Sequence, residues 1–127
     1  MVNARASDIM NFCGQEVCEK PEKLTPAQEA DGKRHMARVR RLPCVICWSH
    51  GEQQNSRTTA HHVICGRYGN RRAPDTKTLP LCDGHHQGDF DTSKLAIHRD
   101  RSEWVAQYGE DTEYLAVVAD MLANEIN

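Results

Sequence analysis

The run Leu79-Pro80-Leu81-Cys82-Asp83-Gly84-His85-His86 decides how the rest of the chain is read. Its first three residues form a short extended stretch. Pro80 has no N–H to give to a ladder, which confines that stretch to a sheet edge. A short helix is expected to start at Cys82 or Asp83 and to carry both histidines. Cys82-x-x-His85 is then half of a tetrahedral zinc site, and Cys44-x-x-Cys47, with 34 residues between Cys47 and Cys82, is the other half. Two thiolates on one knuckle and a Cys/His pair at a helix start can reach one ion at about 2.0 to 2.3 Å. With all four bound the site is closed, so its zinc would staple the fold and take no part in catalysis.

Between the half-sites lies Thr58-Thr59-Ala60-His61-His62-Val63-Ile64, β-branched at four of seven positions and the best strand in the chain. Adjacent strand residues point to opposite sides, so His61 and His62 face different ways. His86 sits about 100 degrees around its helix from His85. Two of these histidines can therefore build a second, open metal site beside the first. Gly66 to Pro74 reads as a Gly- and Arg-rich loop.

Upstream, Thr25 as cap and Pro26 at the first helical position begin a helix to Arg41. Met36, Val39 and Leu42 face inward on it, Arg34, Arg38 and Arg41 lie on another face, and Pro43 ends it. Cys44 to Cys47 reads as a tight turn and Ser49 to Ser56 as a polar loop. Downstream, Asp100 with Glu103 caps a helix through Trp104 to Tyr108 that Gly109 stops. Asp111 or Thr112 then caps a last helix with Tyr114, Leu115, Val118, Met121 and Leu122 at core spacing. Residues 1–25 read as a weakly structured tail and 26–127 as one domain.

The chain's 127 residues suit one small α+β domain and no more. With 39% hydrophobic residues and only two Trp, three Tyr and two Phe, its core is thin enough to need a staple. The net charge of -2 hides a split: residues 33–77 hold ten basic and two acidic residues, and the remainder carries the acid excess. A positive block in an acidic chain suits one face meeting a phosphate backbone. No apolar stretch approaches the ~20 residues of a membrane span, and no signal peptide opens the chain, so it reads as cytosolic. In that compartment the six Cys are metal ligands and spare thiols. Cys13, Cys18 and Cys65 lack partners of comparable quality and read as free thiols.

The ordered set Cys44-x-x-Cys47, Ala60-His61-His62 and Leu81-Cys82-x-x-His85-His86 resembles the HNH endonucleases, whose fold is ββα-metal. Adding Leu42-Pro43, Val63, Leu79-Pro80, Ile97-His98, Trp104 and Tyr108-Gly109, the chain from about residue 33 to 122 is similar to the phage Ref family of RecA-dependent recombination-enhancement nucleases. The resemblance implies His62 as the general base that activates water against a DNA phosphodiester. It implies His61 and His86 as ligands of a catalytic Mg²⁺ or other divalent cation, with His98 as a further ligand or phosphate contact. It further implies products with a 5'-phosphate and a 3'-hydroxyl, a phage or prophage source, action in the bacterial cytoplasm, and DNA and RecA as partners. Oligomeric state stays open. The residue types suit the chemistry, since an imidazole titrating near neutrality can take a proton from water and a cation can neutralise the charge that develops.

One position departs from the pattern. The motif's middle Asn falls on Lys77, which offers no acceptor to orient the base. Either the backbone takes that role or activity is weak or conditional; Asn70 is a distant substitute. Phosphate contacts are expected from Arg67, Arg71 and Arg72, with Lys77, Arg34, Arg38 and Arg41 extending the track. Two other classes compete. A non-catalytic zinc-stapled DNA-binding or adaptor module would need His85 alone and leaves the other histidines unexplained. A redox protein built on Cys44-x-x-Cys47 lacks its βαβ context.

Overall fold

A computed structural model describes residues 23–64 and 73–124. The first described helix, α1 (Pro26–Arg40), starts where the sequence placed it. The Thr25 side chain accepts from the Gln28 N–H, and the Gln28 side chain accepts from the Thr25 N–H. Val39 and Leu42 are buried as expected, whereas Met36 is only half-buried. Gly32, a poor residue for a helix interior, is explained by a close approach. A Cβ there would lie 2.9 Å from Cβ of Asp75, so only glycine lets that loop press against α1.

Cys44-x-x-Cys47 is not the expected tight turn. Cys44 is the N-cap of a short helix, α2 (Val45–His50), which also takes the first two residues assigned to the polar loop. The physical reason is burial: Val45, Ile46 and Cys47 all turn into the core, which a helical turn allows and an exposed turn does not. Gly51, at φ 68°, supplies the left-handed residue that ends the helix.

Strands β1 (Thr58–His62) and β2 (Thr78–Cys82) pair antiparallel, with His61 opposite Leu79 and Ala60 opposite Pro80. They form a two-stranded sheet, so Pro80 sits on an edge strand, yet every β2 residue is buried beneath other elements. β2 runs straight into α3 (Asp83–His86), which packs on both strands. Helix α1 also packs on both strands, and Arg38 donates to the Leu122 carbonyl at 3.2 Å, docking the C-terminal helix on α1.

After α3 the chain makes an excursion and returns. Ile97 N–H donates to the His85 carbonyl at 2.9 Å and His98 N–H to the His86 carbonyl at 3.0 Å. Helix α4 (Arg101–Tyr108) follows, capped by Asp100 and ended at Gly109 as expected. Its Trp104 is fully buried and packs edge-on against Tyr108 and Tyr114. The last expected cap needs correcting. Glu110, not Asp111 or Thr112, makes the capping box with Glu113, opening a 3₁₀ turn (Asp111–Tyr114) that leads into α5 (Leu115–Asn124). Asp111 is completely buried and its carboxylate is engaged elsewhere. Val118 and Met121 of α5 close the core. The architecture is a small α+β fold of five helices and one two-stranded sheet among the described residues. No described helix is long and apolar enough to cross a membrane.

Candidate metal and active site

Two clusters of metal-ligating side chains stand back to back on α3. The first joins Cys44, Cys47, Cys82 and His85, all buried. Nδ1 of His85 lies 3.5, 3.6 and 3.4 Å from the sulfurs of Cys44, Cys47 and Cys82, and the Cys47 and Cys82 sulfurs are 4.0 Å apart. A tetrahedral zinc with ordinary bond lengths spaces a sulfur and a nitrogen by about 3.5 Å and two sulfurs by about 3.8 Å. The donor set and its spacing therefore fit a closed zinc site. The far side of the ligand imidazole is held as well: Nε2 of His85 lies 3.2 Å from Glu52 Oε1 and 3.3 Å from the Tyr108 hydroxyl. Such outer partners fix a ligand ring in its binding tautomer. Between the thiols, a hydrogen bond with Cys44 and another with His85 pull Cys82 down to about 4, while burial pushes Cys47 up to about 11. One thiolate is favoured by these neighbours alone, and a dication would stabilise the others.

The second cluster joins His61, His86 and His98, whose ligand atoms lie within 4.8 Å of one another. Ring centroids are 5.1 Å apart for His61 and His86, 5.3 Å for His61 and His98, and 4.9 Å for His86 and His98. Each ring arrives by a different route. His61 is on the β1 face that also carries Thr59, two residues earlier. The Thr59 hydroxyl meets Nδ1 of His86 at 2.7 Å, which leaves Nε2 of His86 for the cluster. His98 is brought in by the backbone bond to the His86 carbonyl. Burial, then the neighbouring His61 and His98, pushes His86 down to about 3; burial and His61 likewise lower His98. His86 and His98 are thus held toward their neutral forms, the state in which an imidazole nitrogen binds a cation. Nδ1 of His61 is buried with no hydrogen-bond partner among the described residues, as a ligand atom awaiting its ion would be.

His62 points the other way from His61, as strand alternation requires. Its Nε2 lies 2.8 Å from Oδ1 of Asp75, and both side chains remain partly exposed. A carboxylate can only accept, so the proton sits on Nε2 and the lone pair on Nδ1. His62 stays close enough to His86 to act on it electrostatically. Lys77 takes no part in this contact. Its carbonyl accepts from Val63 N–H at 3.1 Å, while Asp75, two residues earlier, supplies the acceptor. Arg41 is exposed, and Arg38 is engaged with Leu122. Arg67, Arg71, Arg72, Asn70, Cys65, Cys13 and Cys18 lie outside the described residues.

Four partners escaped the sequence reading: Asp111, Asp75, Glu52 and Thr59. Thr59 was within reach of inference, being two residues before His61 on one strand face. The carboxylates carry no spacing signal, because Asp111 meets His61 across 50 residues and Glu52 meets His85 across a fold contact.

Comparison with known proteins gives one finding of family. A family model described as recombination enhancement, RecA-dependent nuclease, matches residues 28–123. No curated protein and no solved structure matches the chain.

Proposed function

We propose that this chain, which belongs to the family of RecA-dependent nucleases of recombination enhancement, is a metal-dependent DNA endonuclease of the HNH type. The observation that carries the reading is the convergence of His61, His86 and His98, with His62 next to His61 on β1 and within electrostatic reach of His86, on a strand–strand–helix unit that also carries a Cys₃His cluster. A single stapled binding module would have no use for this second cluster.

A divalent cation held by the three imidazoles, a nitrogen donor set that suits a transition-metal ion better than Mg²⁺, would neutralise charge on the scissile phosphate and its leaving oxygen. The chain's own residues supply the rest. His62 takes the proton of the attacking water at Nδ1, the atom that the Asp75 contact leaves with a lone pair. Asp75 holds the ring in that orientation and offsets the imidazolium charge that results, the role the sequence pattern would have given to an Asn at position 77. Thr59 holds the His86 ring, and His85, which with Cys44, Cys47 and Cys82 would hold a structural zinc, would anchor the helix that carries His86. The basic residues between 33 and 77 supply the field that draws in the DNA backbone.

The test is cleavage of circular single-stranded and supercoiled DNA, with or without RecA and ATP, in Mg²⁺, Mn²⁺ or EDTA. Nicking that needs a divalent cation, RecA and ATP is the expected result. DNA binding without cutting in every condition would leave a zinc-stapled binding module in place of the enzyme.

The orienting role of Asp75 has its own consequence. Asp75→Ala is expected to lower the cleavage rate at least tenfold, against roughly 10² to 10⁴ for loss of a general base itself. Gly32→Ala, which drives a methyl group into Asp75, should lower the rate in the same direction with zinc content unchanged. Full activity in both variants, measured at saturating cation, would remove Asp75 from the mechanism.

A further inference from the structure

We infer that Asp111 is a positioning residue for the His61, His86 and His98 cluster, fixing the His61 ring in the one tautomer that can bind a cation. The inference rests on the reading of that cluster as a cation site. Asp111 is fully buried, and its Oδ2 lies 2.8 Å from Nε2 of His61 and 2.7 Å from the backbone N of Ile64. A backbone N–H can only donate, so Oδ2 is committed as an acceptor at this point. The proton between Asp111 and His61 therefore belongs to Nε2, and the lone pair is left on Nδ1.

That assignment completes the geometry of the cluster. Nδ1 is the His61 nitrogen without a hydrogen-bond partner among the described residues. A His–Asp pair serving only to hold the 3₁₀ turn against β1 gives no reason to bury that nitrogen unpaired. A pair that orients a ligand does. The carboxylate also stands on the far side of the His61 ring from the atom left to face the cluster. By bonding Ile64 N–H with the same oxygen, Asp111 ties the end of β1 to the C-terminal part of the chain, so ring and strand are set together.

The two functions separate in two variants. In Asp111→Asn the amide oxygen must take the place of Oδ2, because Ile64 N–H still demands an acceptor; the tautomer is kept and the charge is lost. Asp111→Leu removes the acceptor as well. The full-length protein is loaded with Co²⁺, whose thiolate charge-transfer absorption reports the Cys₃His site separately, and the second site is followed by competition with a chelator. Long-range ¹H–¹⁵N spectra read which nitrogen of His61 carries the proton.

Wild type is expected to hold two cobalt ions per chain, with His61 protonated on Nε2. Asp111→Asn should lose about 10- to 100-fold in affinity at the second site with thiolate absorption unchanged. Asp111→Leu should lose at least as much, together with the tautomer preference; if it fails to fold, the wild-type spectrum still decides. Wild-type affinity in a folded Asp111→Leu, or a proton on Nδ1 of His61 in the wild-type protein, overturns the inference. A single cobalt per wild-type chain would instead overturn the cation site itself, leaving the His61 spectrum to judge Asp111 alone.

Discussion

Cys44→Ala is expected to release the ion of the Cys₃His cluster and unfold the domain. The three sulfurs and Nδ1 of His85 hold together five pieces of chain: the start of α2, the end of β2, the start of α3, and through Glu52 and Tyr108 the loop after α2 and the end of α4. Zinc bound in such a site contributes about 10–16 kcal/mol to folding, as much as the whole net stability of an ordinary domain. The apolar core is small, with Trp104 and a few aliphatic side chains at its centre, and offers no comparable reserve. Removing one thiolate also leaves Cys47 and Cys82 buried without the charge that would compensate them. Metal analysis beside far-ultraviolet circular dichroism checks this. A Cys44→Ala protein that remains cooperatively folded and keeps a full equivalent of zinc would show that the cluster is not the staple.

His62→Ala is expected to have the largest effect on catalysis and almost none on the fold. Its side chain is partly exposed, its one described partner is Asp75, and it belongs to neither metal cluster. Loss of a general base costs roughly 10² to 10⁴ in rate. DNA affinity, zinc content and helicity should all be retained, which separates this variant from Cys44→Ala in a single set of preparations. Cleavage at the wild-type rate would move the base elsewhere, and a loss of zinc or helicity would make His62 a structural residue.

The contrast between these variants follows how the site was legible in the sequence. The candidate metal-ligating residues were readable because their spacing is local: Cys44-x-x-Cys47 and Cys82-x-x-His85 each fit one turn of chain, and His61 and His62 are separated by strand alternation alone. Helices α1 and α4 were readable at both ends, through Thr25, Pro26 and Pro43 in one case and Asp100 and Gly109 in the other. What surrounds the ligands was not readable. Asp111 has the sequence of a helix cap, and only the packing of the 3₁₀ turn against β1 reveals that its carboxylate belongs to His61. Asp75 sits two residues from the position where the pattern wanted an acceptor, and no local rule moves the role from 77 to 75. Likewise the tight turn expected at Cys44 became the first turn of α2 because Val45 and Ile46 are needed in the core, a demand that comes from elements far along the chain.

His85 and His86 are consecutive on a helix of four residues, and each serves a different cluster. So short a helix has no stability of its own. Its shape is set by whatever holds His85, and His86 inherits its place from that shape. Two ions bound as proposed could therefore not be loaded in arbitrary order: until the thiolates had closed around theirs, the second cluster would lack one of its corners. On the proposed function, maturation would then be a sequence of events in which metal supply during folding determines whether a chain is ever armed, and a chain starved of the first ion would be silent toward DNA however much of the second surrounds it.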